Sequence, residues 1–348
     1  MTVDTRMVDL FRRELELCKV GPGQTVAVLT EEQRCADYAT GFLLAAQELG
    51  ADAFQVNVSS KQGGGRGLAA VGANSLAGNR PAIEALKSAD LVIDLMLLLF
   101  SPEQNEITQS GTRMLLVIEP LDILERMFPT EELRRRVEFG EELLKSAKEM
   151  HITSPAGTDV IYRLGKYPVM TEYGYTATPG RWDHWPSGFL FTSGHDDGVD
   201  GTVVLNTGDI LYPLKRYVDQ PIKLTIEKGK IIRIDGKGID ATIFKDFMDG
   251  YRDPRAFAIS HIGWGLNENA DWNRIATTSN LKDEIGMDGR AAYGNVLFST
   301  GPNTELGGSN DTRCHLDIPL RGCSLSLDNK LIVRDGEIVP REMRAPGR

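Results

Sequence analysis

The chain has five histidines, and two of them sit in local sequences that could do chemistry. The first is Cys314-His315-Leu316-Asp317. On an extended strand, residues two apart project to the same face. His315 and Asp317 can therefore converge on one point while Leu316 faces away. An imidazole beside a carboxylate suits a divalent transition metal. The tripeptide taken alone fits a surface pair or a simple His–Asp hydrogen bond better. The second is Ser260-His261-Ile262-Gly263-Trp264-Gly265, where glycines flank an aromatic and permit sharp turns or close backbone approach.

Together, His261, His315 and Asp317 make a two-histidine, one-carboxylate set. Such a set leaves metal positions open, as non-haem Fe(II) oxygenation needs, and zinc would accept the same ligands. A satisfied structural histidine is an equal reading of His261 by itself. The polar turn from Phe298 to Glu305 follows an apolar strand and is the kind of loop that lines a site, or an ordinary turn. The segment from Thr171 to Phe189 places Trp182 and Trp185 around Asp183-His184. It reads as an aromatic pocket wall with Glu172 and His184 as acid/base candidates. The plainer alternative is a packed aromatic corner with a buried salt bridge.

The elements that must carry these residues change character along the chain. Val3, Met7, Leu10, Phe11 and Leu15 recur at helical steps. Strands are expected at 25–29, 53–58, 91–97 and 114–118, those at 25–29 and 91–97 buried, with helices at 35–49, 81–89 and 130–150 between or after them. Ser101-Pro102-Glu103 reads as a helix N-cap, first-turn proline and acidic first turn. Strand alternating with helix implies a doubly wound parallel α/β domain over 1–155. After that come short strands at 202–205, 210–212, 222–226 and 231–234. They imply a strand-rich α+β domain over 156–348 that carries the metal-binding residues.

The composition excludes several classes. Asp and Glu number 49 against 39 Lys and Arg, a net charge of -10, so the chain lacks the basic footprint of a nucleic-acid binder. It also lacks a polybasic membrane patch and a continuous apolar block at its start. Cys18, Cys35, Cys314 and Cys323 form no C-x-x-C pair. A cytoplasmic, reducing location is expected. The glycines at 63–67 lack a P-loop lysine and read as a surface loop.

Long stretches of the chain resemble the 2,5-dihydroxypyridine 5,6-dioxygenases. They are SPEQNEI at 101–107, TEYGYTATPGRWDHWPSGFLF at 171–191, SHIGWGL at 260–266, GNVLFSTGPNTELGG at 294–308 and CHLDIPLRGC at 314–323. That family is similar in fold to two-domain metallo-aminopeptidases, a class that Ala156-Gly157-Thr158-Asp159 also resembles. The resemblance implies an Fe(II) cofactor held by His261, Ser299, His315 and Asp317. It implies a hydroxypyridine and O2 as reactants, self-association into a homo-oligomer, and substrate contact at Glu172 and His184. Leu99 and Phe100 fall on a mobile stretch over the site. The family carries a histidine base there, and this chain departs from that pattern: the best match is Leu99, and no histidine precedes His151. The base then falls to His184 or Glu172. Phe100, Trp185 and Trp264 are expected to stack on the flat substrate. Two competing readings are a zinc or cobalt aminopeptidase and a metal-binding relative that has lost its base.

Overall fold

The computed structural model describes residues 4–60, 74–99, 101–279 and 284–348. The glycine cluster at 63–67 and Phe100 lie outside the described residues. The chain divides into two compact units. The first comprises Met1–Pro129, Tyr173–Pro186 and Asp283–Ile285, and the second Thr130–Glu172, Ser187–Lys282 and Gly286–Arg348.

The first unit is built on an all-parallel sheet, as strand alternating with helix implies. Its strand order is Asp52–Val58, Thr25–Glu31, Leu91–Asp94, Arg113–Val117 and Trp182–Trp185. Ser101 caps the helix Pro102–Gln109 as expected, its hydroxyl accepting from the Gln104 amide at 3.1 Å. The third strand stops at Asp94, short of Leu97. The Asp94 carboxylate accepts from the amides of Met96 (2.8 Å) and Leu98 (2.7 Å), and Leu97 turns to a φ of 68°. Burial pushes the Asp94 pKa up to about 6 against the pull of those amides. Leu99 follows this turn and packs on the margin of the unit's apolar core.

The last strand, Trp182–Trp185, lies outside the 1–155 span that the sequence assigns to this sheet. Its apolar residues are buried. Trp185 is fully enclosed, edge-on to Phe11 (6.0 Å) and Phe128 (5.8 Å). It packs in the core of this unit.

Among its described residues, the second unit carries two large antiparallel sheets and a two-stranded antiparallel pair, Ile210–Leu211 with Arg216–Tyr217. The larger runs in the order Lys230–Asp235, Ile222–Glu227, Val199–Leu205, Asp159–Arg163, Glu149–Thr153, Ser324–Leu327, Lys330–Arg334 and Glu337–Ile338. The smaller runs Leu316–Leu320, Val296–Thr300, Ile259–Gly265, Phe189–Ser193 and Met170–Glu172. The sequence places a boundary at 155, whereas the units part after Pro129. The helix Glu131–Ser146 belongs to the second unit because its buried stripe, Leu133, Val137, Gly140 and Leu144, packs there. A Cβ added at Gly140 would lie 3.1 Å from the Leu190 side chain. Glu149–Thr153 pairs with Asp159–Arg163 and Ser324–Leu327, so it too is bound to this unit.

Cross-strand partners share a face of a sheet. In the smaller sheet Leu190 pairs with Trp264, on the face covered by the helix Glu131–Ser146. Trp264 is fully buried. By strand register it lies on the face opposite His261, three residues earlier. The opposite face carries His261, Ser299 and Asp317 in adjoining strands: His261 pairs with Ser193, and Ser299 with Asp317.

The glycines around Trp264 serve close approach, as expected. A Cβ at Gly263 would lie 1.9 Å from the Leu190 carbonyl oxygen. Rigid backbone cannot yield to it, so Gly263→Ala should lower stability by about 3 kcal/mol. Urea unfolding checks this, and an unchanged midpoint would contradict the described strand approach.

Candidate metal centre

Three donor atoms meet on the face of the smaller sheet opposite the helix Glu131–Ser146. The Nε2 atoms of His261 and His315 lie 3.1 and 3.3 Å from Oδ1 of Asp317. One ligand atom from each residue lies within 4.8 Å of the others, and all three residues are buried. Local sequence explains the convergence. His315 immediately precedes the strand Leu316–Leu320, so it and Asp317 project together and Leu316 turns away. His261 arrives from the strand Ile259–Gly265, two strands over.

Ser299 stands in the strand between them and is fully buried. Its hydroxyl donates to the His261 carbonyl at 2.7 Å, which leaves its oxygen lone pairs for another partner. His315 Nδ1 lies 3.1 Å from the Thr300 carbonyl oxygen. That contact selects the tautomer with the proton on Nδ1 and frees the Nε2 lone pair toward Asp317.

The electrostatics favour a cation. Burial opposes ionisation of Asp317, yet His315, Arg290 and His261 outweigh it and hold its carboxyl well below the usual carboxylate range. For His315, burial disfavours the charged ring, but Asp317 prevails and raises its pKa. Two histidines and a carboxylate with buried, converging lone pairs fit a divalent transition metal.

Arg290 was not read from the sequence. Its Nε donates to Asp317 Oδ2 at 2.6 Å, leaving Oδ1 toward the two imidazoles. The guanidinium also lies 4.6 Å from the centre of the Tyr212 ring. Gly286 and Gly289 press on that ring, where added Cβ atoms would come within 2.2 and 2.8 Å. Tyr212 in turn is bridged to Asp317 through both backbone groups. Phe191 was missed as well: its ring lies 4.7 Å from that of His261, on the same face. Nothing in the local sequence of either residue marks it; only strand register reveals them.

The other expected residues fall outside the cluster. Glu172 is buried and shares the sheet face, and Ser187 Oγ lies 3.2 Å from its Oε2. It pairs with Phe189, four residues from Ser193, the partner of His261. That separates the two rows by about 13 Å of strand. His184 and Leu99 belong to the first unit. His184 is buried on the strand beside Leu116. Its neighbour Asp183 forms the buried salt bridge of the plainer reading, with Arg181 at 2.6 Å. Asp183 also accepts from the amides of Gly174 and His184.

Arg290→Gln should weaken divalent-metal affinity about 10–100-fold with the fold retained. Metal affinity should also fall as pH drops, beginning above the ordinary imidazole range, because His315 holds its proton more tightly than a free histidine. Metal titration of the apoprotein across pH checks both. Unchanged affinity in Arg290→Gln would contradict the role of that side chain.

Comparison with known proteins follows this geometry. The family model described as 2,5-dihydroxypyridine 5,6-dioxygenase matches residues 6–340. A protein of that name from Pseudomonas putida is 46% identical over 347 residues, covering 98% of this chain and 99% of the relative. The solved structure of the dioxygenase from P. putida KT2440 superposes with a TM-score of 0.95 at 46% identity, covering 99% of this chain and 100% of that one. Wild-type AmpT from Thermus thermophilus shares the fold, with a TM-score of 0.59 at 12% identity over 96% of this chain and 99% of that one. With matches that span nearly its whole length, the chain belongs to the 2,5-dihydroxypyridine 5,6-dioxygenase family.

Proposed function

We propose that this protein is a non-haem Fe(II) dioxygenase that opens 2,5-dihydroxypyridine, or a close hydroxypyridine, between carbons 5 and 6. The product is N-formylmaleamate. Both oxygen atoms of O2 enter the product, so the reaction needs no separate reductant. The observation that carries the proposal is the buried His261, His315 and Asp317 cluster in a chain whose full-length relative bears that activity in its name.

In this reading, His261, His315 and Asp317 hold the iron, and Ser299 offers a fourth oxygen. Bound Fe(II) would supply a common site for substrate and O2 and a route for electron density between them. The protein's own part is positional. Arg290 fixes the orientation of Asp317, and the Thr300 carbonyl fixes the His315 ring. Phe191 offers an aromatic edge beside the centre against which a flat ring can pack. Glu172, on the same sheet face as His261, is the candidate to take the substrate's hydroxyl proton.

The hydrolase reading calls for a second cluster of metal-binding side chains. Among the described residues one cluster of at least three such groups is present, which favours the mononuclear reading. No helix among them is long and apolar enough to cross a membrane.

Anaerobic reconstitution with Fe(II), followed by oxygen-electrode assay with 2,5-dihydroxypyridine, tests the proposal. One O2 should be consumed per ring, with loss of the substrate's ultraviolet absorption. His315→Ala should lose iron and at least 100-fold in rate. Bound iron with no oxygen uptake would contradict the proposal, and release of an amine from a chromogenic amide would favour the hydrolase.

A further inference from the structure

Glu305 lies on a single 3-10 turn, Thr304–Leu306, just beyond the strand that carries Ser299. The residue as a whole is half-buried, but both of its carboxylate oxygens are enclosed and neither is bonded to another residue. Buried polar atoms in native proteins nearly always find a partner, which a filled site can supply.

The loop that carries Glu305 is firmly held. Ser260, next to His261, donates its hydroxyl to the Pro302 carbonyl. The Gly301 amide donates to the Ala258 carbonyl at 2.9 Å. A Cβ at Gly301 would meet the Cys314 carbonyl oxygen at 1.9 Å, so the turn sits directly against the His315 segment. The Asn303 side-chain oxygen accepts from the Asn310 amide at 3.0 Å and closes the loop. The unpaired carboxylate is therefore placed by structure on both sides of it. It also stands close enough to the centre to feel its charges. Burial raises the Glu305 pKa, His261, His315 and its own backbone amide pull it down, and Asp317 adds to the rise.

Charge gives the carboxylate a purpose. The two imidazoles are neutral when they ligate, and Asp317 is already balanced by Arg290. A divalent cation at this buried centre would then leave two positive charges uncompensated, which low-dielectric surroundings penalise. One ionised carboxylate and one ionised substrate hydroxyl would neutralise them.

We infer that Glu305 is the outer acceptor of the metal centre: it does not ligate the ion, but accepts a hydrogen bond from water or from a protonated substrate group held there, and balances the ion's charge. This rests on the metal-dependent reading proposed above and deepens it. The enclosed carboxylate oxygens are available for that hydrogen bond.

The test uses Glu305→Gln and Glu305→Asp in the full chain, with Fe(II) and Co(II) as probes. Unfolding of the metal-free proteins is measured first, then metal affinity by competition with a chelator. Glu305→Gln should be as stable as the parent, or more so, when metal-free, because the uncompensated charge is gone. It should nevertheless bind both metals about 10–100-fold more weakly. Glu305→Asp keeps the charge and should recover part of that loss. Parental metal affinity in Glu305→Gln would overturn the inference, as would loss of metal-free stability in both variants, which would mark a purely structural residue. If the parent protein itself takes up neither metal, the metal-dependent reading fails instead, so the two failures are distinguishable.

Discussion

The structure around the candidate centre depends on where one carboxylate points. Asp317 meets two imidazoles with Oδ1 and a guanidinium with Oδ2. Four charged or ionisable groups share a buried space, and each would be costly there alone. Arg290 makes the arrangement tolerable and directional. It engages one oxygen, keeps the carboxyl ionised, and leaves the other oxygen beside the two ring nitrogens. Tyr212 holds Arg290 by its ring and Asp317 by its backbone, so the strand edge and the side-chain network are a single unit.

The smaller sheet of the second unit makes this possible by dividing its labour between faces. Leu190 and Trp264 supply apolar packing under the helix Glu131–Ser146, and Gly140 lets that helix come close. The other face can then afford polar residues. Three adjoining strands deliver His261, Ser299 and Asp317 in one row, and His315 joins from just before the last strand. Rigid strands place such donors more reproducibly than loops would.

Much of this was legible in the sequence, for identifiable reasons. His315 and Asp317 were readable because the two-residue period of a strand is local. The parallel sheet of the first unit was readable because its strands and helices alternate in order. Ser299 was legible only through family resemblance, since a serine in an apolar strand carries no chemical mark. Arg290, Phe191 and Glu305 depend on contacts between strands and turns far apart in sequence. Trp185 and Trp264 are packed in the interior, and local sequence does not reveal which face of a strand is covered. Leu97 shows a further limit, because the strand ends where Asp94 captures two amides rather than where apolar residues stop.

The most direct test of the account is to locate the metal itself. Crystals of protein loaded anaerobically with Fe(II), measured on both sides of the iron absorption edge, would reveal the ion by its anomalous difference. The account predicts one strong peak within bonding distance of His261 Nε2, His315 Nε2 and Asp317 Oδ1, with Arg290 still on Oδ2. A peak elsewhere, or an iron-free cluster in protein that turns over substrate, would contradict it.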